Sequence, residues 1–416
     1  MTTKLLMLTK HFPYNLGETA AESYLETEIG YMADAFDEVA IVATEAPSGR
    51  PLVQRIPSNV HALPLGNVQT KSEKAKCLAS GMTSRDARAR YAIRLEPELT
   101  PTQRTFQRYF VGKALRKWKR LARYLRQEGF APTHIYSFWF HDTSLMAIWT
   151  RESYPCARVV ARAHGYDLYR DRTHALYLPC RELLMRELDA ILPCSQDGSQ
   201  YLRNWFPQFS DKIRTAYLGT RELPDMSDEP RGTIFKVISC SRVVPVKRLG
   251  LLCDAISLLD AEGASIAWTH YGDGPDLPEI RRRTDSFRTV ATTFPGNIPN
   301  KKLLDFYAKN HADLFVNVSS SEGLPVSIME ASGHGVPVIA TDVGGTREIV
   351  SNGEGGLIIS ENIKADELAA AISRFIAMSA NEYSSFRKVA RRNWEQRFRT
   401  KDNVGILLNA LQKEVG

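Results

Sequence analysis

The stretch LFVNVSSSEGLPVSIMEASGHGVPVIATD (314–342) holds an apolar run, a polar loop, a helix-like segment and a second apolar run. Pro325 suits the first turn of a helix, where its missing N–H costs nothing. The amides of residues 323–326 are then free to bind an anion. Glu330 lies five residues beyond Pro325, roughly 7.5 Å along a helix axis. The loop therefore predicts an anion site with one carboxylate before it, Glu322, and one beyond it, Glu330.

Short apolar runs alternate with helical patterns along the whole chain. They predict strands at 4–9, 39–44, 134–140, 158–165, 190–195, 236–242, 266–272, 290–296, 314–319, 337–342 and 356–360. This alternation predicts an α/β protein with parallel sheets covered by helices on both faces. Because the pattern occurs twice, we expect two doubly wound, Rossmann-like domains facing a central cleft. Ligands of such sheets bind at the carboxyl ends of the strands, at the switch points, and two ligands in one cleft suit a transfer reaction.

The segment TRELPDMSDEPRGT (220–233) is polar, contains two prolines and lacks periodicity, so we interpret it as the linker. The predicted domains are residues 1–222 and 223–395. The stretch 66–102 is mostly polar and is predicted to be an irregular insertion in the first domain.

The composition is that of a globular protein, with 43% hydrophobic and 24% charged residues. The sequence has no apolar run near the roughly 18–20 residues that a membrane helix needs, and KLLMLT (4–9) reads as a buried strand rather than a signal peptide. The six cysteines show no CxxC or metal spacing, which favours free thiols in a reducing cytoplasm. A net charge of +7 allows nucleic acid, an anionic membrane surface or an anionic ligand as the partner.

Part of this charge lies in residues 104–126, which contain nine Lys or Arg and no acid. Apolar residues recur there at helical spacing, at Phe110, Ala114, Trp118, Leu121 and Leu125. The segment predicts a basic amphipathic helix, either with a solvated face over a core stripe or docked onto anionic lipid headgroups. Because no recognised nucleic-acid module accompanies it, nucleic acid is the less favoured partner.

Two further segments follow predicted strands in the second half. In SRVVPVKRLG (241–250), Arg242 lies at a strand end and Lys247 lies just before a helix, an arrangement that suits a diphosphate. In HYGDGPDLPEI (270–280) the turn residues fail the dinucleotide fingerprint, because Leu277 stands where glycine is required. A nicotinamide or flavin cofactor is therefore disfavoured.

The motifs taken together resemble a known family over nearly the whole chain. In order they are FPYNLGETAAE (12–22), RAHGYDLYRDR (162–172), ILPCSQDGSQYL (191–202), KIRTAYLGT (212–220), SCSRVVPVKRLG (239–250), HYGDGPDL (270–277), FPGNIPNKKLLDFY (294–307) and the block from Glu322 to Glu330. They resemble the retaining, GT-B-fold nucleotide-sugar glycosyltransferases of glycosyltransferase family 4. The bacterial exopolysaccharide branch, typified by amylovoran and colanic acid transferases, is the most similar. The resemblance also implies that residues 396–416 form a helix that crosses back to the first domain.

The resemblance assigns donor-binding roles to five residues of the 322–330 block. Glu322 would hydrogen-bond hydroxyls of the donor sugar. The backbone of Gly323, Leu324 and Pro325 would hold the distal phosphate, and Glu330 would bind the ribose hydroxyls.

Other roles follow from the remaining motifs. Arg242 and Lys247 would neutralise the leaving diphosphate, and His164 would lie close to the transferred sugar. Gly17 would approach the donor phosphates. The family's frequent Gly-Gly is here Gly17-Glu18, so Glu18 is instead assigned to the acceptor side.

Asp167 would either position His164 or contact a hydroxyl of the acceptor. An Arg-Lys pair with a helix N-terminus can stabilise a leaving diphosphate without a divalent metal. No carboxylate is placed as a nucleophile. The resemblance implies retaining transfer, and the expected activity is cofactor-free and metal-independent.

The expected substrates are a nucleotide sugar and a glycan or lipid-linked acceptor, at the cytoplasmic face of a membrane. Other GT-B enzymes, namely a sugar phosphorylase or a nucleotide-sugar epimerase, are alternatives, as is a non-catalytic sugar-nucleotide-binding subunit.

Overall fold

The computed structural model divides the chain into two compact units. Unit 1 comprises Met1–Leu218 and Thr400–Gly416, and unit 2 comprises Gly219–Arg399. The structure describes residues 2–14, 22, 24–66, 70–96, 98–173, 175–221, 223, 226 and 232–412. Several residues of the predicted linker 220–233 lie outside this part of the chain.

Unit 1 contains a parallel sheet of six strands. They are β1 (Lys4–Thr9), β2 (Glu38–Ala43), β3 (Val60–Pro64), β4 (His134–Ser137), β5 (Arg158–Ala163) and β6 (Ala190–Pro193). The helices are α1 (Leu25–Ala35), α2 (Lys71–Thr83), α3 (Ala87–Arg94), α4 (Pro101–Glu128), α5 (Asp142–Arg151), α6 (Arg181–Glu187) and α7 (Gln196–Trp205). The strand order is β3-β2-β1-β4-β5-β6, which is the order of a doubly wound nucleotide-binding sheet. Its switch point lies between β1 and β4.

Both faces of this sheet are buried, as the apolar character of its strands requires. Leu5 and Met7 of β1 pack in a core cluster with α1, whereas Leu6 and Leu8 pack in a second cluster with α4 and α5. The alternation follows from the two-residue period of a strand. The prediction of a sheet covered on both faces is therefore confirmed for unit 1.

The prediction that 66–102 is an irregular insertion is wrong, because the structure places α2 and α3 there. Each helix has an N-cap, since the Thr70 side chain accepts from an amide of α2 and the Asp86 side chain accepts from one of α3. Helix α2 packs closely on α4 through small residues: a Cβ at Gly112 would lie 1.9 Å from a backbone oxygen of α2. This contact between backbones explains how a polar helix with few apolar side chains joins the fold.

Helix α4 is the predicted basic helix, and it begins with a capping box at Thr100. The residues of its apolar stripe, Phe110, Ala114, Trp118, Leu121 and Leu125, are all buried in the core of unit 1. Two of its basic residues, Lys113 and Lys117, are buried as well. The apolar stripe thus packs inside the protein, and the exposed basic side chains are those of Arg104, Lys119, Arg123 and Arg126.

Unit 2 contains a second parallel sheet of six strands. They are β7 (Phe235–Cys240), β8 (Ile266–Tyr271), β9 (Ala291–Gly296), β10 (Leu314–Asn317), β11 (Val338–Thr341) and β12 (Gly356–Ile359). The helices are α8 (Leu249–Ala261), α9 (Leu277–Thr284), α10 (Asn300–Lys309), α11 (Val326–Gly333), α12 (Thr346–Ile349), α13 (Ala365–Ala377) and α14 (Ala380–Arg397). The order β12-β11-β10-β7-β8-β9 repeats that of unit 1, with the switch point between β7 and β10.

The last helix, α15 (Thr400–Gln412), belongs to unit 1. Its residues Leu407, Ala410 and Leu411 are buried in the same core cluster as Leu5. The Arg158 side chain of β5 donates to the Ala410 carbonyl at 2.6 Å, which fixes the helix against the sheet.

Candidate active site

The candidate donor site lies at the switch point of unit 2, where β7 and β10 end. These two strands pair in parallel, so the loops that follow them leave the sheet at the same edge. The first loop carries Arg242 and Lys247, and the second carries Glu322. The structure therefore brings together three of the residues predicted to hold the donor.

The motif around Gly272 supports the loop that carries Arg242. Gly272 has φ +137°, and a Cβ there would lie 1.8 Å from the carbonyl oxygen of Ser241. The amide of Val243 donates to the Asp273 carbonyl at 2.9 Å. Only glycine permits this approach of two backbones, and the approach leaves the Arg242 side chain exposed.

Lys247 and Glu322 form the central ion pair of the site. The Lys247 ammonium lies 2.6 Å from Oε1 of Glu322. The same oxygen accepts from the Ser319 hydroxyl at 2.7 Å and from the Asn317 amide at 3.2 Å. Glu322 is 9% exposed, so the carboxylate is held in place yet remains at the rim of the site.

Arg248 fixes the position of Lys247, a role that the sequence did not reveal. Arg248 has φ +47°, in the left-handed region. Its guanidinium donates to the carbonyl of Val318 at 2.6 Å and to that of Glu361 at 2.5 Å. It thereby joins the start of α8 to the loop after β10, and the ammonium of Lys247 lies between these two elements.

The predicted phosphate loop runs from Gly323 to the start of α11. The Gly345 amide donates to the Gly323 carbonyl at 2.7 Å. Gly344 has φ +52°, and a Cβ there would lie 2.0 Å from the backbone oxygen of Glu322. The loop is therefore held by a second glycine-rich turn.

Helix α11 begins at Val326, with Leu324 and Pro325 buried just before it. The N–H groups of its first turn precede the first acceptors within the helix, so they can bind an anion.

Glu330 lies within α11 and is 6% exposed. Burial raises the pKa of Glu330 to about 7, and a hydrogen bond from Asn300 opposes the rise. The Asn300 amide lies 2.7 Å from the carboxylate. Among the residues that the structure describes, the Glu330 carboxylate has no Lys, Arg or His nitrogen within 4.0 Å, whereas the Glu330 carbonyl lies 2.8 Å from Nδ1 of His334. Asn300, at the start of α10, is a candidate site residue that the sequence reading missed, because it lies 30 residues from Glu330 and nothing within the motif 294–307 singles it out.

His164 and Asp167 follow β5 in unit 1. The imidazole of His164 lies against the rings of Phe138 and Trp139, with centroids 4.6 Å away in each case. Asp167 accepts from the backbone amides of His164 and Phe140, both at 2.8 Å. Burial raises the pKa of Asp167, but His164 and the two amides outweigh it, so the pKa lies below its ordinary value. Because the carboxylate is fully buried, its placement matches the positioning role rather than contact with a sugar.

Glu22 is a second residue whose role the sequence did not reveal. Its carboxylate accepts from the amides of Lys10, His11 and Phe12 at 2.6–2.8 Å. It also accepts from the indole N–H of Trp139 at 2.6 Å. One buried side chain therefore fixes the end of β1 and the ring that lies against His164. Nothing in FPYNLGETAAE distinguishes this acid from its neighbours.

Two predicted residues, Gly17 and Glu18, lie outside the described part of the chain. In that part, no group of three or more His, Cys, Asp or Glu residues is arranged to hold a metal ion. None of the described helices has both the length and the apolar character needed to cross a bilayer. The six cysteines form no disulfide, and Cys156 is exposed.

Comparison with solved structures identifies the fold. A sucrose-phosphate synthase from Thermosynechococcus elongatus superposes with a TM-score of 0.68 at 17% identity, over 97% of each chain. An Anabaena protein solved in complex with UDP and glucose superposes with a TM-score of 0.67 at 16% identity, over 99% of this chain and 100% of that one. The predicted two-domain, Rossmann-like α/β fold of the GT-B class is thereby confirmed.

Comparison of sequences places unit 2 more narrowly. Residues 227–393 match the family model described as glycosyl transferases group 1. A relative from Salmonella typhimurium, named for glycosyl transfer in colanic acid biosynthesis, is 28% identical over 56% of this chain and 59% of its own length. An O-antigen biosynthesis glycosyltransferase from Escherichia coli is 31% identical over 32% of this chain and 35% of its own. The chain thus spans less than two thirds of the length of these curated relatives. Unit 2 is therefore similar to group 1 glycosyl transferases over residues 227–393, and this range includes every residue predicted to bind the donor in unit 2.

Proposed function

We propose that the protein is a retaining glycosyltransferase that moves a sugar from a nucleotide-diphosphate donor to a glycan or lipid-linked acceptor in surface or exopolysaccharide biosynthesis. The observation that carries the proposal is the Lys247–Glu322 ion pair at the switch point of unit 2, beside the N-terminus of α11. The relatives named for polysaccharide biosynthesis support the same class of reaction.

In this proposal the anionic diphosphate lies against Lys247, Arg242 and the first-turn amides of α11. All three supply positive charge where negative charge develops as the anomeric C–O bond breaks. Glu322 receives hydroxyls of the donor sugar on the oxygen that faces away from Lys247. Glu330, deeper in the unit, receives the ribose hydroxyls. Charge is then balanced by the protein, and a divalent metal is not required.

The acceptor hydroxyl attacks from the face that the leaving diphosphate vacates, as the family resemblance implies. A new C–O bond forms on that face, the bond to the diphosphate breaks, and a departing phosphate oxygen takes the hydroxyl proton. The anomeric configuration is retained. In unit 1, Asp167 positions the loop of His164 through the backbone amides of His164 and Phe140.

We further propose that the protein works at the cytoplasmic face of a membrane. Support comes from the four exposed cations of α4, at Arg104, Lys119, Arg123 and Arg126. Association of this kind is electrostatic and weakens with salt. Cosedimentation with vesicles of phosphatidylserine and phosphatidylcholine at low and high salt tests it, and equal binding to pure phosphatidylcholine would contradict it.

The experiment begins with a thermal-shift panel of nucleotide sugars. The donor that stabilises the protein is then radiolabelled and incubated with lipid-linked glycans, and the product linkage is read by NMR. Retention with the acceptor present supports the proposal. Epimerised nucleotide sugar without acceptor, or sugar 1-phosphate formed from glycan and inorganic phosphate, would establish one of the alternative enzymes instead. Binding without turnover on any acceptor would indicate a non-catalytic subunit.

A further inference from the structure

Three lysines come together at the switch point of unit 1, where β1 and β4 end. Lys10 follows β1, whereas Lys113 and Lys117 reach the same place from α4. Two buried carboxylates, Glu45 after β2 and Asp142 at the start of α5, lie among them. These five ionisable groups lie at the ligand-binding edge of the sheet, and the distances between them show which charges are compensated.

Lys113 and Lys117 are fully compensated. Lys117 lies 2.7 Å from both Glu45 and Asp142. Lys113 lies 2.6 Å from Glu45 and 3.6 Å from Asp142. Burial raises the pKa of Glu45, but the two lysines outweigh it and hold the pKa far below its ordinary value. These four side chains form a closed, structural network.

Lys10 is different, because its ammonium has aromatic rings rather than carboxylates as neighbours. It lies 4.8 Å from the ring centroid of Trp139 and 4.2 Å from that of Tyr166. In the described part of the chain no carboxylate lies within 4.0 Å of it. Burial lowers the pKa of Lys10, and the Asp142 and Glu45 charges oppose this only from a distance.

The remaining nearby carboxylate, Glu22, does not compensate Lys10 either. Both of its oxygens are occupied by backbone amides and by the indole of Trp139. The cation–π contacts replace only part of the hydration that Lys10 has lost. Among the residues that the structure describes, the partly buried Lys10 ammonium therefore has no carboxylate partner within 4.0 Å.

His164 also contacts the indole ring of Trp139. Its ring centroid is 4.6 Å from that of Trp139, and both of its ring nitrogens lack a hydrogen-bond partner among the described residues, although Nδ1 lies 3.7 Å from Oδ2 of Asp167. Tyr166, which lies 5.0 Å from Trp139, is 39% exposed. A ligand that reaches His164 would thus meet an aromatic wall with an ammonium beside it, the combination of apolar surface and few polar groups found in ligand sites.

We propose that Lys10, Trp139 and Tyr166 form an acceptor subsite that binds an anionic group of the acceptor, a phosphate or a carboxylate, beside His164. The inference rests on the proposed function, because it names the chemical class of that reaction's second substrate. The anion supplies the charge partner that Lys10 lacks, and the rings contact the apolar face of the adjoining sugar. A neutral glycan would leave the ammonium uncompensated.

The test uses the full chain saturated with UDP or GDP, whichever stabilises it, so that anionic probes do not occupy the donor site. The probes are geranyl diphosphate for a lipid-linked diphosphate, methyl glucuronide for a carboxylate-bearing sugar and methyl glucoside as the neutral match. Binding is measured by calorimetry for the wild type, Lys10→Met and Lys10→Arg. Lys74→Met, which removes an exposed lysine of α2, is the control variant.

We expect at least one anionic probe to bind the wild type more tightly than the neutral glucoside. Lys10→Met should weaken that probe about 10- to 100-fold, the effect of losing one charge-assisted contact. Lys10→Arg should restore most of the affinity, and Lys74→Met should change nothing. The diphosphate and carboxylate probes separate the two sources of the anion.

Equal binding of anionic and neutral probes, or equal affinity in wild type and Lys10→Met, would overturn the subsite. The nucleotide measurement keeps the two proposals apart. If UDP and GDP fail to bind but Lys10 still governs anion binding, the donor assignment fails and the anion site stands. If a nucleotide binds normally in every variant while the anionic probes do not, the subsite alone fails.

Discussion

The two sheets of this protein have the same strand order, yet their switch points use charge differently. In unit 2, Lys247 and Glu322 neutralise each other at 2.6 Å, and Arg242 stays exposed beside them. In unit 1, the Glu22 carboxylate accepts hydrogen bonds from loop amides and an indole, and the Lys10 ammonium lies over aromatic rings. In the first arrangement, a diphosphate can replace Glu322 as the ion-pair partner of Lys247. In the second, no carboxylate of the described part of the chain lies within 4.0 Å of the Lys10 ammonium, and the proposed ligand would supply the charge partner.

The largest expected effect on the transfer rate comes from removing the Lys247 ammonium of unit 2. Lys247→Ala should lower the transfer rate by roughly 10²–10³-fold, because the leaving diphosphate loses a donor where charge develops. Initial rates with the nucleotide sugar identified by thermal shift measure this effect. Glu322→Gln should cause a loss of similar size, through the donor sugar rather than the phosphate.

Lys388→Ala, at an exposed position of α14, is the matched control and should leave the rate unchanged. Rates close to wild type for both Lys247→Ala and Glu322→Gln would remove the ion pair from the mechanism.

The second prediction contrasts the two carboxylates themselves. Glu22→Ala leaves three amides and an indole N–H without their acceptor, so the free energy of unfolding should fall by about 3 kcal/mol. Glu322→Gln keeps the amide oxygen as an acceptor at the rim and should cost roughly 1 kcal/mol or less. Urea unfolding of both variants, with m-values compared to the wild type, measures the difference. Equal losses would mean that Glu22 does not organise unit 1 as described.

This contrast also explains which parts of the molecule the sequence predicts. The proposed donor site of unit 2 can be predicted from the sequence because Glu322, the phosphate loop and Glu330 lie within one stretch of nine residues. The local rules of helix starts and turns are enough to interpret such a block. The proposed acceptor subsite of unit 1 is formed by the loops after β1, β4 and β5. Its residues Lys10, Trp139 and Tyr166 therefore share no pattern in the sequence.

The same reasoning accounts for the errors in the fold. All eleven predicted strands coincide with observed strands, and most of them are apolar runs buried on both faces, whereas β9 and β12 lie at the edges of their sheet and are less buried. β3 was missed: it has five residues, ends in Pro64 and occupies the edge of its sheet, where burial does not impose an apolar run. Helices α2 and α3 are polar, and α2 packs on α4 through Gly81 and Gly112, so hydrophobic periodicity could not reveal it.

A third prediction concerns how the affinity for the nucleotide sugar depends on pH through Glu330, the more deeply placed carboxylate of unit 2. Because burial raises the pKa of Glu330 to about 7, the free protein holds this proton below pH 7. Binding of ribose hydroxyls to a carboxylate requires the proton to leave, so affinity for the nucleotide sugar should fall as the pH drops. The limiting slope is about tenfold per pH unit well below 7.

Affinities measured by calorimetry between pH 5.5 and 8 test this sign. Burial raises the pKa of Cys240 to about 12 and that of Tyr307 also rises, so neither neighbour titrates in this range. A nucleotide sugar is the appropriate probe, because its diphosphate carries no terminal phosphate that titrates near pH 6. Glu330→Gln should bind more weakly at pH 8 but with a flat profile. A variant profile parallel to that of the wild type would assign the pH dependence to another group.

The smallest expected effect concerns Asn300, whose side-chain amide donates to the carboxylate of Glu330. Its hydrogen bond opposes the rise in the pKa of Glu330, so Asn300→Ala should move the midpoint of the affinity profile to higher pH. At pH 8 the variant should lose only a few-fold in affinity, in keeping with one hydrogen bond of about 1 kcal/mol. Near pH 6.5 the loss should be larger, because more of Glu330 is then protonated. A pH-independent loss would show that Asn300 contacts the nucleotide directly, and a midpoint shifted to lower pH would show that Asn300 stabilises the protonated carboxyl instead.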